Sequence, residues 1–215
     1  MKYTTIIFDL DGTLLNTLAD LAAATNYALA EHKLPKRTTD EVRLFVGNGI
    51  RKLIERAVPA DTTAELQEEV FASFNKYYKQ HCADSTRPYD GVPQLLQQLR
   101  AAGCRTAIVS NKADYGVQAL AKQYFDGQLD AACGERAGIA KKPAPDMLLA
   151  IMQQLKAEPA STVYIGDSDT DIATASNAGV ACIGACWGFR GRAFLEAHGA
   201  KLLAETVGDI WELIK

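Results

Sequence analysis

Tyr3-Thr4-Thr5-Ile6-Ile7-Phe8, running directly into Asp9-Leu10-Asp11-Gly12-Thr13, is the stretch on which the reading of the fold turns. The first six residues are apolar and rich in β-branched side chains, the composition of a buried strand. The strand ends on an acid, with a second acid two residues on and then a glycine. Burying an unpaired charge is costly, so two carboxylates at the tip of a core strand need a partner and mark the edge of a site.

Working outward, other stretches repeat this grammar. Arg105-Thr106-Ala107-Ile108-Val109 runs into Ser110-Asn111-Lys112, and Thr162-Val163-Tyr164-Ile165 runs into Gly166-Asp167. Segments 128–133 and 180–183 are weaker strand candidates. Helical patterns lie between them. Segment 92–102 has Pro93 near its start, a stripe of Val92, Leu95, Leu96 and Leu99, and Gly103 just past its end. Segment 145–155 carries a stripe of Leu148, Leu149, Met152 and Leu155, and 169–178 stops at Gly179. Strand and helix alternate after residue 90, which predicts an α/β fold with a parallel sheet covered on both faces.

Residues 15–86 break the rhythm and read as wholly helical, at 17–31, 39–45, 50–57 and 63–80. Thr17 is placed to cap the first of these, Asp20 lies in its first turn, and Leu18, Leu21, Ala22, Ala28 and Leu29 give it an apolar stripe. A helical block inserted after the first strand predicts a cap domain. The expected organisation is an α/β catalytic core of residues 1–14 and 87–215 and a helical cap of residues 15–86.

Bulk properties narrow the function. The chain has 215 residues, 48% of them hydrophobic, and a net charge of −3. That supports a packed core and argues against disorder and against nucleic acid as a partner. No apolar run approaches the ~18 residues of a membrane span, and the N-terminal run is cut by Asp9 and Asp11, unlike a signal peptide. Five cysteines, an odd number without zinc spacing, read as reduced thiols in a cytoplasmic protein. His32, His81 and His198 are scattered over helical segments and suit packing or surface roles. Gly47-x-Gly49 lacks the third glycine of a dinucleotide fingerprint, and no P-loop is present.

In an open α/β sheet, ligands bind at the carboxyl ends of the strands. That rule gathers Asp9, Asp11, Ser110 and Asp167, with Lys142 arriving from Lys142-Pro143-Ala144-Pro145, a loop stiffened by two prolines. Asn111 is read either as a backbone cap or as a ligand contact. Converging carboxylates imply a cation, and an all-oxygen set favours Mg²⁺ over zinc. A hydroxyl and a lysine beside such a site suit a phosphoryl group. One ionised aspartate can attack phosphorus, and a second acid can protonate the leaving oxygen.

Asp9-x-Asp11-Gly12-Thr13-Leu14, Val109-Ser110-Asn111, Lys142-Pro143-x-Pro145 and Gly166-Asp167-Ser168-x-x-Asp171 together resemble, in order, the four motifs of the haloacid dehalogenase superfamily. The resemblance spans nearly the whole chain. It implies a Rossmann-like core with an inserted helical cap. It implies Asp9 as the nucleophile that forms an aspartyl-phosphate and Asp11 as the acid/base. Ser110, Asn111 and Lys142 would contact the phosphate. Asp9, the Asp11 backbone carbonyl and Asp167 would hold Mg²⁺, and Asp171 would support the metal waters or Lys142. Val46-Gly47-Asn48-Gly49, Ile50-Arg51-Lys52-Leu53 and Arg56-Ala57 resemble the cap loop of the phosphoglycolate phosphatases within that superfamily. Asn16 is a departure, since many relatives carry aspartate there.

The expected activity is hydrolysis of a small phosphorylated metabolite, with 2-phosphoglycolate the first candidate and Arg51 or Lys52 available for its carboxylate, by a monomer or homodimer. A sugar-phosphate mutase would use the same aspartyl-phosphate but return the phosphoryl group to the sugar, and a pyrophosphatase is a near neighbour. A phospho-aspartate receiver module is the alternative of another class, but the helical insert has no place in one. The stretch Trp187-Gly188-Phe189-Arg190 follows the last strand candidate and could border the site, but packing is the role expected of it.

Overall fold

The computed structural model describes residues 1–215. The chain divides into two compact units, Met1–Leu15 with Pro88–Lys215, and Asn16–Arg87.

The first unit is built on six strands: β1 (Thr5–Phe8), β4 (Arg105–Ala113), β5 (Ala131–Glu135), β6 (Thr162–Gly166), β7 (Ala181–Ala185) and β8 (Leu202–Ala204). They form one sheet in the order β5-β4-β1-β6-β7-β8, and every paired neighbour is parallel. β1 is central, with Phe8 in register with Ile108 of β4 on one side and Ile165 of β6 on the other. The chain lays down β4 and β5 to one side of β1, then crosses to lay down β6, β7 and β8 on the other. That reversal opens a crevice at the carboxyl ends of the central strands.

Helices α5 (Val92–Ala101), α6 (Asp114–Phe125), α7 (Asp146–Gln154), α8 (Asp169–Ala178), α9 (Arg192–Ala197) and α10 (Asp209–Ile214) complete this unit. On one face of the sheet Ile7, Ala107, Val109 and Tyr164 pack with Met147, Leu148 and Ile151 of α7 and Ala175 of α8. Their neighbours along the strands, Ile6, Phe8, Ile108, Val163 and Ile165, are equally inaccessible. Both faces are therefore covered, which explains why β1 and β6 read as unbroken apolar runs and not as alternating ones. Each such side chain contributes roughly 1.5–3 kcal/mol of burial.

The second unit holds α1 (Leu18–Glu31), α2 (Thr39–Phe45), α3 (Ile50–Ala57) and α4 (Ala64–His81). It has a core of its own, with Leu21, Ala24, Ala28 and Leu29 of α1 against Val42, Leu53, Ile54, Val70, Phe74 and Tyr78. At the joints, β2 (Leu15–Asn16) and β3 (Arg87–Pro88) pair as a short ribbon. The cap of α1 differs from the sequence expectation. The Thr17 side chain makes no capping bond, and its hydroxyl is buried without a partner. Asn16 accepts from the Leu18 amide at 3.4 Å in its place. Asp20 faces inward and takes the amides of Ser85 and Thr86 and the Thr86 hydroxyl, tying the start of α1 to the end of the same unit.

Candidate active site

The carboxyl ends of β1, β4 and β6 bring Asp9, Asp11, Ser110, Asn111 and Asp167 to one edge of the sheet, and the loop between β5 and α7 adds Lys142. β4 pairs regularly with β5 only as far as Val109, and its register then shifts before Ala113. Ser110, Asn111 and Lys112 occupy that irregular stretch.

Lys142 is the hub. It is 3% exposed. Its Nζ donates to Asp171 Oδ1 at 2.7 Å and to the Tyr164 hydroxyl at 2.9 Å, and lies 3.0 Å from Asp9 Oδ1. Burial alone would lower the Lys142 ammonium, but the attraction of Asp171 and Asp9 outweighs it and holds the group charged. Asn111 is spent on the same loop: its amide donates to the Lys142 carbonyl at 3.0 Å, and its carbonyl accepts the Lys142 amide at 2.8 Å. Of the two roles open to Asn111 in the sequence, this geometry displays the backbone one.

Asp171 sits in the first turn of α8 and is fully buried. Oδ2 takes the amide and hydroxyl of Ser168, while the Ser168 hydroxyl accepts from the Asp171 amide, a complete capping box. Oδ1 takes Lys142 and, at 3.3 Å, Tyr164. With both oxygens engaged by protein, Asp171 orients its neighbours.

Asp167 lies where two glycines admit it. A Cβ on Gly12, whose φ is +85°, would overlap the Asp167 carboxylate. A Cβ on Gly188 would overlap Asp167 Cβ and the Gly12 carbonyl. The Phe189 amide donates to Asp167 Oδ2 at 2.6 Å, the Thr13 hydroxyl to Oδ1 at 3.3 Å, and the Trp187 indole to the Thr13 carbonyl at 3.0 Å. The segment Trp187-Gly188-Phe189 therefore borders the site, one of the two roles open to it in the sequence, and not the packing role expected. Nothing in the sequence alone gives Tyr164 or Lys112 a role. The only prior signal for Lys112 was its place directly after Ser110-Asn111.

Asp11 has a partner of its own. Its two oxygens accept from Lys112 Nζ at 3.0 and 3.2 Å. The acids two residues apart are thus paired with different lysines.

Asp9, Asp167 and Asp171 each bring a carboxylate oxygen within 4.8 Å of the others, all buried. Burial pushes Asp9 up to about 6; Lys142 pulls it back, and Asp171 and Asp11 push it further. Burial likewise raises Asp167 well above its ordinary value, with Asp171 and Asp9 adding to the effect. Four carboxylates face two ammonium groups. The deficit is two positive charges, which a divalent cation would fill, and an oxygen-only donor set suits Mg²⁺.

The basic residues of α3 are engaged within the helical unit. Arg51 pairs with Glu68 and lies over the Phe71 ring, and Lys52 pairs with Glu55. Arg56 donates to the Phe45 carbonyl and the Asn48 side chain, which braces the loop 46–49.

Comparison with known proteins agrees with this architecture. The model of the family described as haloacid dehalogenase-like hydrolase matches residues 6–185. A phosphoglycolate phosphatase of Haemophilus influenzae is 36% identical over 196 residues, 87% of this chain and 88% of the relative. That of Xanthomonas campestris is 32% identical over 209 residues, 96% of this chain and 94% of the relative. A crystal structure from Lactobacillus delbrueckii subsp. bulgaricus, described as a candidate phosphoglycolate phosphatase, superimposes with a TM-score of 0.94 at 36% identity, covering 100% of this chain and 99% of the other. No helix is long and apolar enough to cross a membrane. The chain belongs to the haloacid dehalogenase-like hydrolase family, among its phosphatases.

Proposed function

We propose that the protein is a Mg²⁺-dependent phosphatase that hydrolyses 2-phosphoglycolate through an aspartyl-phosphate on Asp9. The observation that carries this reading is the division of two acids, two residues apart, between two lysines: Asp9 against Lys142 and Asp11 against Lys112. One acid is held for attack and the other for proton transfer.

Asp9 Oδ1 is fixed by the Leu10 amide at 2.7 Å and by Lys142. A carboxylate so held attacks phosphorus with little reorganisation. The P–O bond to the alkyl leaving group breaks as the bond to Asp9 forms, and Asp11 gives its proton to the departing oxygen. Water then enters, loses a proton to Asp11 and attacks the acyl-phosphate phosphorus, which frees Asp9 and inorganic phosphate. Ser110 and Lys142 hold the phosphoryl oxygens. Asp9, the Asp11 carbonyl and Asp167 would hold Mg²⁺, with Asp171 behind Lys142. When bound, the ion neutralises charge on the acids and the phosphoryl group.

The identity of the relatives supports 2-phosphoglycolate as the substrate. The helical unit is read as the cap that selects it, with the braced loop 46–49 as its selecting element. A panel of phosphomonoesters assayed with Mg²⁺ and with chelator tests this. The expected result is metal-dependent turnover with 2-phosphoglycolate favoured, and Asp9→Asn below about a hundredth of wild type while still folded, because the nucleophile is gone at constant shape. Absence of turnover on every monoester removes the reading, and isomerisation of a sugar phosphate without free phosphate replaces it with a mutase.

A further inference from the structure

Lys112 is a buried ammonium that enters the reaction as written above only through its pairing with Asp11. It is 5% exposed, and its side chain is almost wholly enclosed while that of Asp11 keeps a small opening to solvent. Its stem lies along Gly116 of α6, where a Cβ would come to 3.4 Å from Lys112 Cε. Its amide donates to the Ser110 hydroxyl at 3.3 Å, so the same backbone turn sets both residues. At the far end, Nζ bridges the two Asp11 oxygens, which aligns the carboxylate plane on the ammonium. A charge this enclosed is retained at a desolvation cost that a neutral side chain of similar length would avoid. The two hydrogen bonds to Asp11 offset that cost, so the ammonium and the carboxylate hold each other in place.

We infer that Lys112 is a positioning residue for proton transfer: by bridging both Asp11 oxygens it keeps that carboxylate off Lys142 and aimed at the leaving oxygen. A freed Asp11 carboxylate would be drawn toward Lys142 and away from that oxygen. Lys112 acts through Asp11 and touches no reacting atom. The inference rests on the reading of Asp11 as the acid/base and extends it to a residue outside the four motifs.

The effect depends on the leaving group. An alkoxide needs the Asp11 proton to depart, whereas p-nitrophenolate leaves without it, and kcat/KM reports only the steps through that departure. The experiment compares kcat/KM of the Mg²⁺-loaded full chain for 2-phosphoglycolate, ethyl phosphate and p-nitrophenyl phosphate in wild type, Lys112→Met, Lys112→Arg, Asp11→Asn and the double variant Lys112→Met/Asp11→Asn. The expected result is that Lys112→Met lowers the ratio of ethyl to p-nitrophenyl phosphate by about tenfold or more, a part of the roughly 10²–10⁴-fold range of general acid catalysis. Lys112→Arg, which keeps the charge, restores part of that ratio. Asp11→Asn lowers it further, and adding Lys112→Met to Asp11→Asn changes it no more, the signature of two residues acting as one unit.

An equal loss on all three esters would make Lys112 merely structural and overturn the inference. A loss confined to 2-phosphoglycolate would make it a carboxylate receptor and overturn it as well. If Lys112→Met does not fold, Lys112→Gln, which removes the charge but keeps a donor, carries the test, and an unchanged ratio there with a lowered common rate overturns the inference. The underlying reading fails separately: wild type would then hydrolyse no ester, or Asp11→Asn would show no leaving-group selectivity.

Discussion

Asp9 carries two demands that conflict until a cation arrives. It must be ionised to attack phosphorus, yet burial and the neighbouring acids raise it to about 6. An acid raised in the folded state binds its proton more tightly there than in the unfolded chain. Its contribution to stability is then present in acid and declines as pH rises from the ordinary 3.8 to about 6. In chelator, Asp9→Asn lacks this titration, so it should gain stability relative to wild type across that interval and hold the gain above it. Urea unfolding at several pH values measures the difference, and a gap that does not change with pH would contradict the assignment. Mg²⁺ competes with the proton, so its stabilisation of wild type should be larger at neutral pH than in acid. Gly188 makes a second residue-level case. A methyl group there overlaps Asp167 and the Gly12 carbonyl. Gly188→Ala should cost about 1–3 kcal/mol, the usual range for overpacking, and should raise the Mg²⁺ concentration needed for half-maximal activity. Thermal unfolding and a Mg²⁺ titration read the two effects, and a variant with normal metal dependence would show that the loop does not set Asp167.

At the scale of elements, α8 joins stability to chemistry through one capping box. The Ser168 hydroxyl accepts from the Asp171 amide and donates to Asp171 Oδ2 at 2.6 Å, so the bonds that start the helix also aim the carboxylate that holds Lys142. The N-cap of α4 is formed by Thr63 on the Leu66 amide at 3.3 Å and has no such second role. Both Ser168→Ala and Thr63→Ala should lose about 1 kcal/mol of stability. Only Ser168→Ala should lower kcat/KM, since Lys142 then has a less ordered partner. Equal kinetics in the two variants would separate the cap from the site. The element scale also shows where sequence reading succeeds. β1, β4 and β6 were legible because a buried parallel strand announces itself by an unbroken apolar run, and an acid or hydroxyl at its tip is a local signal. Asp9, Asp11, Ser110 and Asp167 follow from that signal, and Lys142 from its proline-framed loop. Thr17 misled because a capping residue type is necessary but not sufficient, and Asn16 beside it reached the Leu18 amide instead. Trp187-Gly188-Phe189 carries only its place after β7, and Tyr164 no local mark. Their roles arise from tertiary approach, an amide and a hydroxyl brought to carboxylates far along the chain.

For the whole molecule, the division into two units sets what can be separated. Each has its own buried cluster, Phe74 and Tyr78 with α1 in one and the sheet with α7 and α8 in the other. The chain passes between them through Leu15–Asn16 and Arg87–Pro88, which pair as neighbouring strands and so lie about 5 Å apart. A short glycine-serine link replacing residues 17–86 can span that gap, and none of the four motifs is removed. All the acids and both lysines of the site lie in the unit that remains. If substrate choice belongs to the helical unit, the linked core should fold and keep Mg²⁺-dependent hydrolysis of p-nitrophenyl phosphate at reduced rate. Its preference for 2-phosphoglycolate over that ester should fall by at least about tenfold, as expected when binding contacts to the non-reacting part of a substrate are lost. Circular dichroism establishes folding, and the ratio of the two kcat/KM values reads selectivity. A linked core that folds and keeps the full preference would place the recognition of the glycolate in the sheet unit.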